Sequence, residues 1–173
     1  MVEKNTRKAS GSEIVDSDDN AFAGFYGNHD HTIDDKGRVS LPKEFRKVLD
    51  ECNCNSIILT NYVSEGARCL EGFSLTRWKA FEKALRAKSR FDSKLQRLEN
   101  FYLSRASECV FDGNGRILIP QHLRSYAGLE KEITFTASIH GFRVWDKRVW
   151  AHVFSSAEQA LLDNPDVFAD VDI

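Results

Sequence analysis

The chain has 173 residues, of which 29% are charged and 42% apolar, and a formal net charge of −2. That is enough for one compact domain or two small intimate halves of ordinary globular composition. No apolar run approaches the ~20 residues that span a bilayer, and the first 24 residues lack the apolar centre of a signal peptide, so a cytoplasmic protein with no membrane partner is expected. The charge is uneven. Residues 1–24 hold three basic and five acidic residues, and residues 155–173 hold no basic and five acidic ones. The middle therefore keeps 21 basic against 16 acidic residues, a net of +5. A mildly basic body between acidic ends suits an anionic partner only where its charges cluster.

In chain order, residues 1–24 are polar and aperiodic and predict a flexible extension. "FYGNHDHTI" predicts a strand that feeds a turn at "DDKGRV". "RVSLP" is a strand leaving that turn, with Val39 and Leu41 alternating across Ser40. Pro42 suits the first turn of a short helix, "KEFRKVL". An apolar strand "SIILTNY" and its hairpin return "ARCLEGF" follow. Next comes a helix capped by Ser74 with Leu75, Trp78, Phe81 and Leu85 on its core stripe. An extra helix over Ser93–Leu103, with Leu95, Leu98 and Tyr102 on one face, would link the halves. The plan then recurs: strand "SECVF", turn "DGNGRI", strand "RILIP", helix "QHLRSYA" entered through Pro120, strands "EITFTAS" and "GFRVW". A closing helix carries Val149, Val153, Ala157 and Leu161 on its stripe. Because Ile117, Leu118 and Ile119 are all apolar, "RILIP" is expected to be buried on both faces.

The recurrence is an internal duplication. Laying Asp34 on Asp112, an offset of 78, superposes Gly37 on Gly115, Arg38 on Arg116, Pro42 on Pro120 and Arg46 on Arg124 over about sixteen ungapped positions. The expected architecture is α+β, two pseudo-symmetric β-α-β repeats in one compact body with peripheral helices. The expected limits are 1–24 for the extension, 25–91 for the first repeat, 92–104 for the linking helix, 105–154 for the second repeat, and 155–173 for the helix end and acidic tail.

Gly37 and Gly115 supply positive φ in the turns. Asp34 and Asp112 are placed to cap turn N–H groups and, four residues before Arg38 and Arg116, to pair with those guanidinium groups. Lys36 and Asn114 sit at the tips. Taken singly, such a turn reads equally as a β-turn with an internal salt bridge. Two of them in one chain present two equivalent arginines, the side chain that matches guanine O6 and N7 bidentately. Asn114 is a candidate for an adenine contact and Lys36 for a base or phosphate contact. The basic run Arg77–Arg97 is read as a solvated helix face, with phosphate contact as the functional alternative. His29, His31, Cys52 and Cys54 are together the one candidate set of metal ligands. Cys-x-Cys is not the usual zinc spacing, and reduced thiols with histidines alternating on a strand are preferred, so no metal or cofactor is expected.

The paired Asp-x-x-x-Arg turns, "IDDKGRVSLPKEFR" and "FDGNGRILIP", each running into a strand, Pro and a helix, resemble those of the MraZ family of bacterial transcriptional regulators, within the AbrB-like (SpoVT-AbrB) superfamily. The resemblance spans Phe25–Phe154, and carrying both motifs in one chain favours MraZ over AbrB-like antitoxins, which carry one. It implies AbrB-like repeats, nucleoid-associated binding to double-stranded DNA at short tandem repeats upstream of a division and cell-wall gene cluster that includes the protein's own gene, and a ring-like homo-oligomer. The family's motif residues fall on Asp34, Arg38, Asp112 and Arg116. The N-terminal extension is longer than the family's short start.

The leading expectation is therefore a sequence-specific DNA-binding regulator. The alternative is an antitoxin-like or scaffold module that works without DNA. An enzyme acting on a small-molecule substrate is not expected, because no phosphate loop, metal spacing or nucleophile motif occurs.

Overall fold

The computed structural model describes residues 24–88 and 91–167. Most of the expected N-terminal extension, Arg90 of the basic run and the end of the acidic tail lie outside the described residues. Eight strands and five helices follow in the order β1 (Asn28–Thr32), β2 (Arg38–Ser40), α1 (Lys43–Glu51), β3 (Ser56–Ser64), β4 (Ala67–Ser74), α2 (Leu75–Arg86), α3 (Ser93–Phe101), β5 (Ser107–Val110), β6 (Arg116–Leu118), α4 (Gln121–Ala127), β7 (Glu132–Ser138), β8 (Gly141–Asp146) and α5 (Lys147–Asp163). The two repeats are visible in that order: strand, strand, helix, hairpin, helix, written twice, with α3 and a 3-10 turn at Leu103–Arg105 between them.

The halves are interlocked. An antiparallel six-stranded sheet runs β1-β7-β8-β4-β3-β5, and β2 pairs with β6 in a separate two-stranded ribbon. Both strands that feed the turns pair with the hairpin of the other half, β1 with β7 and β5 with β3. Both sheets are symmetric about their centres. In the ribbon, Arg38 opposes Leu118, Val39 opposes Ile117 and Ser40 opposes Arg116, so the two copies meet at the equivalent residues Val39 and Ile117. In the large sheet, Leu70, Glu71 and Gly72 oppose Val144, Arg143 and Phe142. Counted back three residues from the helix caps Ser74 and Asp146, Glu71 and Arg143 are also equivalents.

Alternation along the strands explains the layers. Ile57 and Leu59 of β3 face a core that also takes Val39, Leu41 and Phe45 from the first half and Ile117, Ile119 and Leu123 from the second. Ile58 points the other way, to a cluster with Phe73, Trp78 and Tyr102, and on the same outer side α5 covers Cys69 and Trp145 with Val153. The ribbon with α1 and α4 thus covers one face of the sheet, and α2, α3 and α5 cover the other. Ser74 caps α2 by accepting from Arg77 N–H at 3.3 Å, as its sequence position predicts. Val149, Ala157 and Leu161 of the α5 stripe are only half-buried around the buried Val153.

Two expectations need correction. Leu118 is 54% exposed. β6 has no second layer over it, so the strand is buried on one face and its middle position in the apolar triplet points out. Pro42 and Pro120 stand at the N-cap positions, one residue before their helices, at φ −51° and −55°. The pyrrolidine ring sets the φ from which the helix departs.

Candidate nucleic-acid interface

The candidate site is the outward side of the ribbon and its two turns. Each turn is closed the same way. Asp34 N–H donates to the Arg38 carbonyl at 2.9 Å and Gly37 N–H to the Asp34 carbonyl at 2.8 Å; in the second turn Asp112 N–H donates to the Arg116 carbonyl at 2.8 Å and Gly115 N–H to the Asp112 carbonyl at 2.9 Å. Gly37 and Gly115 adopt φ +84° and +70°, the left-handed region that glycine enters without a Cβ penalty.

The aspartates divide their two oxygens between backbone and arginine. Asp34 Oδ1 accepts from the N–H groups of Lys36 and Arg38, both at 2.9 Å. Its Oδ2 accepts from Arg38 Nε at 2.8 Å and lies 2.7 Å from Arg38 Nη2. Asp112 repeats this with Asn114 and Arg116 N–H at 2.9 and 3.0 Å, and with Arg116 Nε and Nη2 at 2.9 and 2.8 Å. The backbone N–H of Arg38, and then its guanidinium, hold the Asp34 carboxyl down at about 2; Arg116 does the same for Asp112, also at about 2. Both carboxylates are therefore charged at any physiological pH. Pairs this exposed add little stability. Their effect is to orient: with Nε and Nη2 of each guanidinium held by its aspartate, Nη1 and the outer N–H of Nη2 are left for a ligand. Arg38 and Arg116 keep 34% and 29% of their side-chain surface exposed, so neither is consumed by its aspartate.

The turns lie next to each other. Arg116 Nη1 is 4.0 Å from Asp34 Oδ2, and Ile119 N–H donates to the Gly37 carbonyl at 3.0 Å. Lys36 and Asn114 are exposed at the tips. The structure therefore brings all eight sequence-selected residues, Asp34, Lys36, Gly37, Arg38, Asp112, Asn114, Gly115 and Arg116, together at the paired turns, with Gly37 buried beneath Arg124.

Four contributors escaped the sequence reading. Ser40 and Leu118 share the outward side of the ribbon with the two arginines, because residues two apart on a strand share a face; that spacing was present in the sequence. Arg46 and Arg124 back the turns across the halves. A Cβ on Gly37 would lie 2.8 Å from Arg124 Cζ, and one on Gly115 would lie 2.5 Å from Arg46 Nη1. Sequence spacing carries no signal for that exchange. By contrast, the basic helices α2 and α3 pack with Trp78 and Tyr102 on the opposite side of the large sheet, away from the turns. The histidines and cysteines of the candidate metal set do not assemble among the described residues. His29 stands 3.7 Å from Glu44, His31 packs edge-on against Phe135, and the Cys52 and Cys54 sulfurs touch each other at 3.0 Å. No described helix is long and apolar enough to cross a membrane.

The fold and the site define a duplicated protein of paired Asp-x-x-x-Arg turns on an intramolecular two-fold. The family model described as "MraZ protein, putative antitoxin-like" matches residues 25–101 and again 102–169. The chain is 40% identical over 126 residues to the transcriptional regulator MraZ of Acetivibrio thermocellus, covering 73% of this chain and 83% of that one. It is 36% identical over 132 residues to the proteins of the same name from Caldanaerobacter subterraneus subsp. tengcongensis (76% and 87% covered) and Desulforapulum autotrophicum (76% and 86%). The chain belongs to the MraZ family.

Proposed function

We propose that this protein is a transcriptional regulator that reads double-stranded DNA with the outward side of the β2–β6 ribbon. The observation that carries the reading is the pair of arginines, each clamped at its Nε side by a charged aspartate, on one two-stranded ribbon. The major groove of B-DNA admits such a ribbon. In the proposed complex Arg38 and Arg116 read guanines, Leu118 between them offers an apolar contact to a thymine methyl, and Lys36 and Asn114 reach bases or phosphates from the tips. Few base contacts per subunit, each worth ~1–3 kcal/mol, make cooperation necessary. A ring-like homo-oligomer on short tandem repeats would provide it by raising effective concentration. The repeats proposed lie upstream of a division and cell-wall gene cluster that includes the protein's own gene, with the protein acting in the cytoplasm on nucleoid DNA.

The test is binding to the DNA upstream of the gene, compared with the same DNA carrying scrambled repeats. The native protein is expected to prefer the intact repeats, and Arg38→Ala/Arg116→Ala to lose that preference. A double variant that still discriminates would sink the assignment. The antitoxin-like wording of the matching family model supports a second reading, a module that binds a protein partner. A neighbouring toxin gene and a stable complex formed without DNA would favour it.

A further inference from the structure

A cleft lies beside the second turn, and the equivalent place beside the first is built differently. The cleft measures about 700 Å³ and is lined by Lys43, Arg46 and Lys47 of α1 together with Phe111 and Gly115. Asp50 is the one carboxylate among its lining residues. Lys43 and Lys47 are exposed, and neither forms an ion pair among the described residues. Arg46 Nε is buried without a hydrogen-bond partner, while the far end of its guanidinium lies over Gly115. In the duplicated register, Lys43, Arg46 and Lys47 correspond to Gln121, Arg124 and Ser125 of α4. There the single arginine over Gly37 is fully engaged: its Nε donates to the Ile119 carbonyl at 3.1 Å and its Nη2 to Gln121 Oε1 at 2.5 Å. The fold thus lays an arginine over a turn glycine twice, hydrogen-bonds it in one copy and, among the described residues, leaves three cations without an ion pair in the other.

We infer that the α1 cleft receives a backbone phosphate of the duplex whose bases meet Arg116, through Lys43, Arg46 and Lys47, and that the equivalent face of α4 does not. The inference rests on the ribbon being the DNA-reading surface. A phosphodiester fits because its charge matches three cations opposed by one carboxylate, and because the floor of the cleft is the turn that carries Arg116, so a base in the groove and its flanking phosphate are met together. Phosphate binding of this kind fixes position and strength without choosing sequence. The subunit would grip its site asymmetrically, more tightly on the α1 side, and so acquire a direction on the duplex that its two-fold ribbon alone does not give.

The test gives α1 the residues of α4. Lys43→Gln/Lys47→Ser gives α1 the α4 residues at two exposed positions, so the fold is expected to persist, as a thermal melt would check. Binding to intact and scrambled repeats is then measured across salt concentrations. Every phosphate no longer neutralised by the protein flattens the plot of log K against log salt by about 0.9, so the variant's slope is expected to be shallower by about 1 to 2 and its affinity lower on both DNAs by the same factor. Ser125→Ala on α4, which leaves both Arg124 hydrogen bonds in place, should leave the slope unchanged. An unchanged slope in Lys43→Gln/Lys47→Ser while the native protein still prefers intact repeats would overturn this inference and leave the ribbon assignment standing. A changed ratio between the two DNAs would overturn it too, by making these side chains readers of bases. Absence of sequence preference in the native protein would overturn both.

Discussion

The two places where the halves meet have diverged in opposite directions. At the ribbon the pseudo-two-fold passes between Val39 and Ile117, two β-branched core residues, and the flanking turns keep the same aspartate, glycine and arginine in the same hydrogen bonds. At the centre of the large sheet it passes between Glu71 and Arg143, residues of opposite charge with different surroundings. Glu71 is 7% exposed and accepts from the Tyr102 hydroxyl, a group from the inserted α3 region with no counterpart in the second half. Arg143 lies 4.7 Å over the Tyr62 ring and donates to Ser64 Oγ at 3.2 Å. The turn framework is the same in both halves at the ribbon, whereas the centre of the large sheet differs where each half meets its own helices. The proposed duplex, itself nearly two-fold, would favour the first, and local packing accounts for the second.

The largest effect expected on this comparison comes from the shared core behind the ribbon. Phe45 is fully buried against the rings of Phe25, Phe135 and Phe142, and its equivalent in the second half is Leu123. Phe45→Ala should cost ~3–5 kcal/mol and Leu123→Ala ~2–5 kcal/mol, both read as a fall in unfolding free energy in denaturant. Because each helix backs the turn of the other half, both truncations should loosen both turns. Hydrogen exchange at Arg38 and Arg116 N–H would detect this, and a drop in protection on one side alone would contradict the interlocked topology.

Next in size is the reading itself. Arg38→Ala and Arg116→Ala, made singly, should each remove ~1–3 kcal/mol of discrimination between a right and a wrong base, at different positions of the site, with little change in stability. If the inferred phosphate grip makes the second turn the better anchored, Arg116→Ala will cost more affinity than Arg38→Ala.

Much of this was legible in the sequence because the duplication supplies its own control: an Asp, Gly, Arg and Pro that recur at one offset mark the turn and its following helix twice. Period-two alternation placed Val39 and Leu41 inward. The same rule should have turned Leu118 outward, and the apolar triplet "ILI" outweighed it there. Strand exchange was not legible, since the pairing of β1 with β7 depends on residues about a hundred positions apart and leaves no local pattern. Arg46 and Arg124 were invisible as turn supports for the same reason: a side chain that packs on the other half's glycine looks, in sequence, like any arginine on a helix.

Those two arginines set the third expectation. Alanine at Gly37 or Gly115 forces a Cβ into the left-handed region, at about 1–2 kcal/mol, and also against the backing arginine. The nearer approach is at Gly115, at 2.5 Å against 2.8 Å at Gly37. Yet the Arg124 side chain is tethered by two hydrogen bonds, whereas the Arg46 side chain has none among the described residues. Gly37→Ala is therefore expected to be the more destabilising of the two in a thermal melt. Equal losses would mean that the tether does not matter and only the strain of φ does.

The smallest effect, and the one with the least obvious sign, belongs to the other meeting point. Burial pushes the Glu71 carboxyl above its usual range, against the downward pull of the Tyr102 hydroxyl and of Arg143. A carboxyl whose folded pKa is raised adds stability below its unfolded pKa and loses it as pH climbs through the folded value. At neutral pH the native protein therefore carries the cost of a charge held out of water. Glu71→Gln keeps an acceptor for Tyr102 and removes that charge, although it also takes a carboxylate from the neighbourhood of Arg143. Because desolvation is the larger of the opposed influences, the variant should be as stable as the native protein at pH 8 or more so, by less than ~1 kcal/mol, and the difference should shrink as pH falls through the Glu71 transition. The measurement is a pair of melting curves across pH 4 to 8, with Glu108→Gln, an exposed carboxylate on β5, as the control. If Glu71→Gln is instead destabilised at pH 8, the attraction of the Arg143 charge across the strands outweighs burial. The asymmetric centre of the sheet would then be held partly by opposite charges that the two-fold ribbon, with Val39 against Ile117, does without.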